Sequence, residues 1–177
     1  LAAENAAGLS EVATGTLAGF TPTDKATDLS SLSFRNGAGE PVTLADFSGK
    51  TVLLNLWATW CAPCRAEMPS LDNLEDQRGS DDFQVVAVSV DTKTDGRAEK
   101  FYEETGIDDL VFFIEPTLTL FNTLKENGLA YGMPTTLLID GNGCHVGSLN
   151  GPAEWDAPEA LALVDAALAE RDGTSAE

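Results

Sequence analysis

Cys61 and Cys64 stand three residues apart in the stretch Trp57-Ala58-Thr59-Trp60-Cys61-Ala62-Pro63-Cys64. Two thiols at that spacing on a helix share a face, so their sulfurs can join as a disulfide or stand as a dithiol. That pairing suits thiol–disulfide exchange, in which a thiolate attacks a disulfide sulfur. A Cys-x-x-Cys pair is also half of a zinc site. The other ligands on offer are Cys144 and the adjacent His145, with no second Cys-x-x-Cys in the chain. An inert structural bridge is a third reading, but so small a loop constrains little of the unfolded chain.

The flanking residues favour redox chemistry. An apolar run, Thr51-Val52-Leu53-Leu54-Asn55-Leu56, precedes the tryptophans, and Met68, Leu71 and Leu74 follow at helical spacing. A buried strand therefore ends at the tryptophans and a helix begins at the cysteines. Cys61 then sits at the helix start, where unpaired N–H groups and the positive end of the dipole stabilise a thiolate. Pro63 suits a first helical turn, where a missing N–H costs nothing. Strand, Cys-x-x-Cys, helix is the context of a thioredoxin-like redox motif.

The rest of the chain supplies alternating strands and helices. Leu9, Val12, Ala13 and Leu17 suggest a short helix within residues 1–20, and Thr21 to Asp28 reads as a polar linker. Leu29 to Leu44 reads as a hairpin turning at Asn36-Gly37-Ala38-Gly39. The active-site helix is expected over about 62–77, with Pro69 inside it. Phe83 to Val90 reads as a buried parallel strand. A helix follows with Ala98, Phe101 and Tyr102 inward, then a short strand Leu110 to Ile114, then a helix marked by Leu118, Phe121 and Leu124. Thr135 to Ile139 and Cys144 to Leu149 flank the turn Asp140-Gly141-Asn142-Gly143 and should run antiparallel. The last helix carries Leu161, Val164 and Leu168 on one face, and Asp156 with Glu159 has capping-box spacing. The sum is an α/β fold, a central mixed sheet flanked by helices. Residues 1–28 form an N-terminal extension of helix and linker, 29–172 the main domain and 173–177 a frayed tail.

Composition narrows the function classes. The chain has 177 residues, 43% of them hydrophobic, enough for one domain with a sizeable core. Net charge is −19, from 29 acidic and 10 basic side chains. That excludes nucleic acid and anionic membrane surfaces as natural partners. It permits a basic protein partner, though a solvated acidic shell is the favoured explanation. No apolar run reaches the length of a membrane span. The chain begins at Leu1, compatible with a front segment, signal peptide or anchor, that has been removed. Of three cysteines, Cys144 is left over if Cys61 pairs with Cys64; it reads as a buried, inert thiol.

Trp57 to Arg65, then Glu67-Met68-Pro69, then Gly132-Met133-Pro134-Thr135-Thr136, and later Gly151 to Trp155, resemble the thioredoxin superfamily. The match is to the periplasmic TlpA-like branch, with its relatives ResA and the cytochrome c biogenesis thioredoxins. It covers roughly Leu32 to Leu168. The resemblance implies a thioredoxin fold with an N-terminal β-hairpin extension and a central insertion. It implies Cys61 as the attacking thiolate, Cys64 as the resolving thiol and Pro134 as a cis-proline against the sulfurs. Glu67 matches an acidic residue of this branch that can shuttle a proton or tune the thiols, with an exposed helix glutamate as an equal alternative. Asn55 occupies the position of a buried aspartate of cytosolic thioredoxin. Trp60, Ala62, Pro63 and Met133 are expected to contact substrate, whereas Trp57 reads as core.

The expected activity is reduction of a disulfide in a substrate protein, recharged by a membrane electron donor, in cytochrome or cytochrome oxidase maturation. The expected protein is a periplasmic monomer, with no metal and no cofactor beyond the Cys61–Cys64 disulfide. Two other activities compete. A peroxiredoxin-like peroxidase shares the fold, but its cysteine sits in Pro-x-x-x-Thr-x-x-Cys, which this chain lacks. A copper-binding metallochaperone would use Cys-x-x-x-Cys and a distant histidine, whereas His145 reads as an edge-strand surface residue.

Overall fold

The computed structural model describes residues 2–174, the side chains of 2–5 and 172–174 excepted. Strands and helices alternate along most of the chain. Helix α1 (Ala2–Val12) and a 3-10 turn (Gly15–Leu17) lead into β1 (Thr21–Asp28). The hairpin β2 (Ser33–Asn36) and β3 (Pro41–Thr43) follows, then β4 (Thr51–Trp57) and α2 (Ala62–Arg78). Next come β5 (Phe83–Ser89), α3 (Arg97–Thr105), β6 (Phe113–Ile114) and α4 (Thr119–Glu126). The chain closes with β7 (Thr135–Ile139), β8 (Cys144–Asn150) and α5 (Pro158–Thr174).

All eight strands join one sheet in the order β1-β8-β7-β4-β5-β6-β2-β3. β4 is parallel to β5 and antiparallel to β7. Every residue of β4 is buried, so both faces of the sheet are covered at its centre. That is why its sequence is nearly continuous in apolar residues instead of alternating. Trp57, at the end of β4, is fully buried against Phe101 and Tyr102 of α3. α2 packs on β5 and α5, and α1 packs on β1 and α5.

Four sequence expectations need correction. Thr21 to Asp28 is not a linker but β1, the outermost strand, paired antiparallel with β8. Its polarity misled because an edge strand covers only one side, and Pro22 is tolerated there since its missing N–H breaks no ladder on the open edge. The strand Leu110 to Ile114 is reduced to Phe113–Ile114. The N–H groups of Asp109 and Leu110 go instead to the buried Asp72 carboxylate on α2, at 2.8 and 2.9 Å. His145 is not on the surface; it is 4% exposed, because β1 covers the outer side of β8. Burial holds its imidazole below the ordinary histidine value. Finally, Asp156 and Glu159 make no capping box. Asp156 accepts from Asn73, and Glu159 accepts from the Thr16 N–H. Of the expected tail, Gly173 and Thr174 continue α5, and 175–177 lie outside the described residues.

The N-terminal segment is fastened to the sheet through Phe20. A Cβ on Gly147 of β8 would lie 2.3 Å from the Phe20 ring, so the ring rests on bare backbone. Gly147→Ala should therefore force the ring off β8 and destabilise the protein by about 1–3 kcal/mol, as overpacking does. Urea denaturation followed by far-UV circular dichroism measures it.

Candidate active site

The first turn of α2 builds the reactive pair. Cys61 is the N-cap, in extended backbone, and its sulfur accepts the Cys64 N–H at 3.3 Å. Pro63 lies in the first turn, where no N–H is needed. Cys61 and Cys64 form a disulfide, with Cα atoms 5.3 Å apart. The two sulfurs are not equivalent. Cys64 is fully buried, whereas Cys61 retains 6% exposure and lines a groove of about 600 Å³. Attack from outside must therefore involve Cys61.

That groove gathers most of the residues expected to meet substrate. Trp60, Ala62, Pro63 and Met133 all line it with Cys61, and its far wall includes Phe121 of α4. Trp60 is 62% exposed, a large apolar surface beside the disulfide. The Met133–Pro134 peptide is cis, and Pro134 is buried with its carbonyl accepting the Gly151 N–H at 3.0 Å. Leu118, also in the groove wall, holds a left-handed backbone with φ 63°. Such a conformation costs a leucine free energy and gathers at functional sites.

Glu67 lies one turn beyond Cys64 on α2 and is buried, not an exposed helix glutamate. Its Oε1 accepts the Asn55 amide at 2.9 Å, and its Oε2 accepts both the Ala153 N–H and the Trp155 indole N–H at 3.1 Å. Asn55 also donates to Thr136 Oγ1 at 3.0 Å, linking β4 to β7. Burial pushes the Glu67 carboxyl up to about 7, and the three donors oppose that rise. A carboxyl poised near neutrality can take or give a proton at working pH.

Asp91 was missed at the sequence level. It is buried just past β5, accepts the Thr59 N–H at 3.0 Å and the Thr59 hydroxyl at 2.6 Å, and accepts the Ser89 hydroxyl at 2.7 Å. It thus ties the loop before Cys61 to the neighbouring strand. The usable signal was a lone acid closing a buried strand, Val88-Ser89-Val90-Asp91. Cys144 is remote in kind from the pair. It is a half-buried free thiol that burial, then the carboxylates of Asp140 and Asp28, push up and away from the reactive thiolate. Among the described residues, no group of three or more histidine, cysteine and acidic side chains gathers to hold a metal.

A mixed sheet with a disulfide at the head of the helix after its central strand defines a thioredoxin-fold thiol–disulfide oxidoreductase. The chain belongs to the Redoxin family, which it matches over residues 21–164. It is 35% identical to the thioredoxin-like protein YneN of Bacillus subtilis over 123 residues, 66% of this chain and 68% of that one. It is 38% identical to the thiol-disulfide oxidoreductase ResA of Oceanobacillus iheyensis, over 58% of this chain and 50% of that one. It is 39% identical to the thiol:disulfide interchange protein DsbE of Escherichia coli, over 61% and 55%. The chain thus spans only about half the length of these ResA and DsbE relatives. Its backbone is similar to the crystal structure of a thiol:disulfide interchange protein of Chlorobium tepidum TLS, with TM-score 0.66, 27% identity and coverage of 81% and 97%.

Two outcomes test the site's electrostatics. Asp91→Ala leaves the Thr59 N–H without its acceptor and should cost about 1–3 kcal/mol in urea denaturation, with Asp91→Asn losing less. For Glu67, the folded protein holds a proton that the unfolded chain releases between its ordinary value of 4.5 and about 7. Wild-type stability should therefore fall as pH rises through that window, by up to about 3 kcal/mol relative to Glu67→Gln, which has no such proton. Urea midpoints of the oxidised proteins at pH 4.5 and 7.5 measure the difference.

Proposed function

We propose that this protein is a reductant of disulfides in substrate proteins. The observation that carries the proposal is the asymmetry of the pair: Cys61 opens on an apolar groove, while Cys64 is sealed beneath it. In the reduced protein the Cys61 thiolate attacks one sulfur of a substrate disulfide. A mixed disulfide forms and one substrate thiolate leaves. Cys64 then attacks the Cys61 sulfur, the second substrate sulfur leaves, and the Cys61–Cys64 disulfide remains. Two electrons pass to the substrate, whose two thiolates take up protons from solvent; Cys61 has already lost its proton as the thiolate, and the Cys64 proton leaves to an acceptor as that sulfur attacks.

Glu67 serves the second step. Cys64 has no access to water, so its proton needs an acceptor inside the protein, and Glu67 shares its helix face. With the proton on Glu67, rotation of the Asn55 amide turns Oδ1, which has no partner in the present orientation, toward the new O–H. Trp60, Ala62, Pro63 and Met133 form the surface on which the substrate segment lies, and the chain at cis-Pro134 presents backbone to it. The intervening pair Ala62-Pro63 contains no histidine to stabilise a thiolate, which favours a reductant over an oxidant.

The likeness to ResA and DsbE supports an extracytoplasmic role in the maturation of cytochromes or cytochrome oxidase, recharged by a membrane electron donor. Among the described residues no helix is long and apolar enough to cross a membrane.

Equilibration with graded thiol buffers should give a reduction potential of about −200 mV or lower; a value near −120 mV would make the protein an oxidant. Cys64→Ser should accumulate a mixed disulfide with a model protein disulfide, and Cys61→Ser should form none. Mass spectrometry reads both.

A further inference from the structure

Glu67 receives two of its three hydrogen bonds from the loop 153–155, and that loop is held in place by a segment that precedes the sheet. On one side α2 grips it: the Trp155 N–H donates to Ser70 Oγ at 3.1 Å, and that hydroxyl donates to the Glu67 carbonyl at 2.7 Å. On the other side lies Thr16. Its hydroxyl accepts the Glu154 N–H at 2.8 Å, and its own N–H donates to Glu159 Oε1 at 3.0 Å. Gly15 makes the approach feasible, because its φ is +56° and a Cβ there would sit 2.3 Å from Glu159 Oε1. Leu17, fully buried, anchors the turn from below.

Thr16 also shares a cleft of about 360 Å³ with Glu67, Pro63, Ala66 and the loop residues Ala153 and Glu154. The cleft has only Pro63 in common with the groove beside Cys61. Glu67 is thus reached from a side other than the groove beside Cys61.

We infer that Thr16 is a positioning residue for the exchange reaction: it clasps the 153–155 loop, holds two donors on the Glu67 carboxylate and walls the cleft by which that carboxylate meets solvent. The inference rests on the reading of Glu67 as the proton acceptor for Cys64. The carboxylate is met by the uncharged Asn55 of β4 and by the Ala153 N–H and Trp155 indole of the loop, with Thr136 of β7 held behind Asn55. The charged groups on the clasp are Glu154, whose N–H is taken by Thr16, and Glu159, which accepts from Thr16. If the Thr16 hydroxyl is lost while a side chain of the same shape still walls the cleft, the loop's donors loosen on a carboxylate that stays buried, so its charged form is disfavoured further.

The test is a carbon-detected NMR titration of the Glu67 carboxyl in the full chain, run beside the pH dependence of the exchange rate. Thr16→Val, which keeps the shape and removes the hydroxyl, should raise the Glu67 midpoint by about one pH unit. The rising limb of the rate profile should move with it, and Thr16→Ser should restore both. Glu159→Ala, which releases the other end of the clasp, should shift them in the same direction and serves if Thr16→Val does not fold. A midpoint unmoved in folded Thr16→Val overturns the clasp. A midpoint that moves while the rate profile stays fixed overturns the proton-acceptor reading of Glu67, and the role of Thr16 in the reaction with it.

Discussion

A buried carboxylate must be surrounded by donors, and meeting that demand at Glu67 draws together three parts of the chain. Asn55 comes from the central strand, Ala153 and Trp155 from the loop before α5, and the carboxylate itself from the active-site helix. Each donor offsets part of the cost of taking the group out of water. The arrangement fixes how α2 sits against the sheet and against the last helix. Because the disulfide occupies the first turn of that helix, the angle at which Cys61 meets its groove is set by hydrogen bonds one turn further along.

The same logic recurs wherever the chain buries an acid. Asp72 gathers the N–H groups of residues 109 and 110, and Glu115 those of Thr117 and Leu120. Asp91 gathers the Thr59 loop. In each case a side chain closes backbone that neither helix nor strand can satisfy. The acidic composition therefore has two populations, a solvated surface and a small internal set that organises loops.

The central strand, the active-site helix and the β7–β8 hairpin were legible because their apolar spacing and turn residues agree at every level. The cysteine pair was legible from its context, and Trp60 and Trp57 fell on the sides expected of them, exposed and buried. Four features were hidden. The edge strand β1 has no apolar face to announce it, since its ladder with β8 is made by backbone. The burial of His145 depends on that unseen strand. Asp91 and Thr16 act through partners 32 and more than 130 residues away, 138 in the case of Glu154. The lone acid closing Val88-Ser89-Val90-Asp91 marks a candidate, but nothing local in the sequence names a partner at that distance.

An eight-stranded open sheet has two free edges, and free edges invite another chain to add itself as a further strand. Here both borders are poor templates. β3 is three residues long and starts at Pro41. β1 carries Pro22, and its register with β8 shifts between Pro22 and Thr27. A neighbour approaching either border finds an interrupted ladder, and two molecules that each carry −19 repel one another before contact. The sheet is thereby guarded against assembling into a larger one, while the groove beside Cys61 stays open.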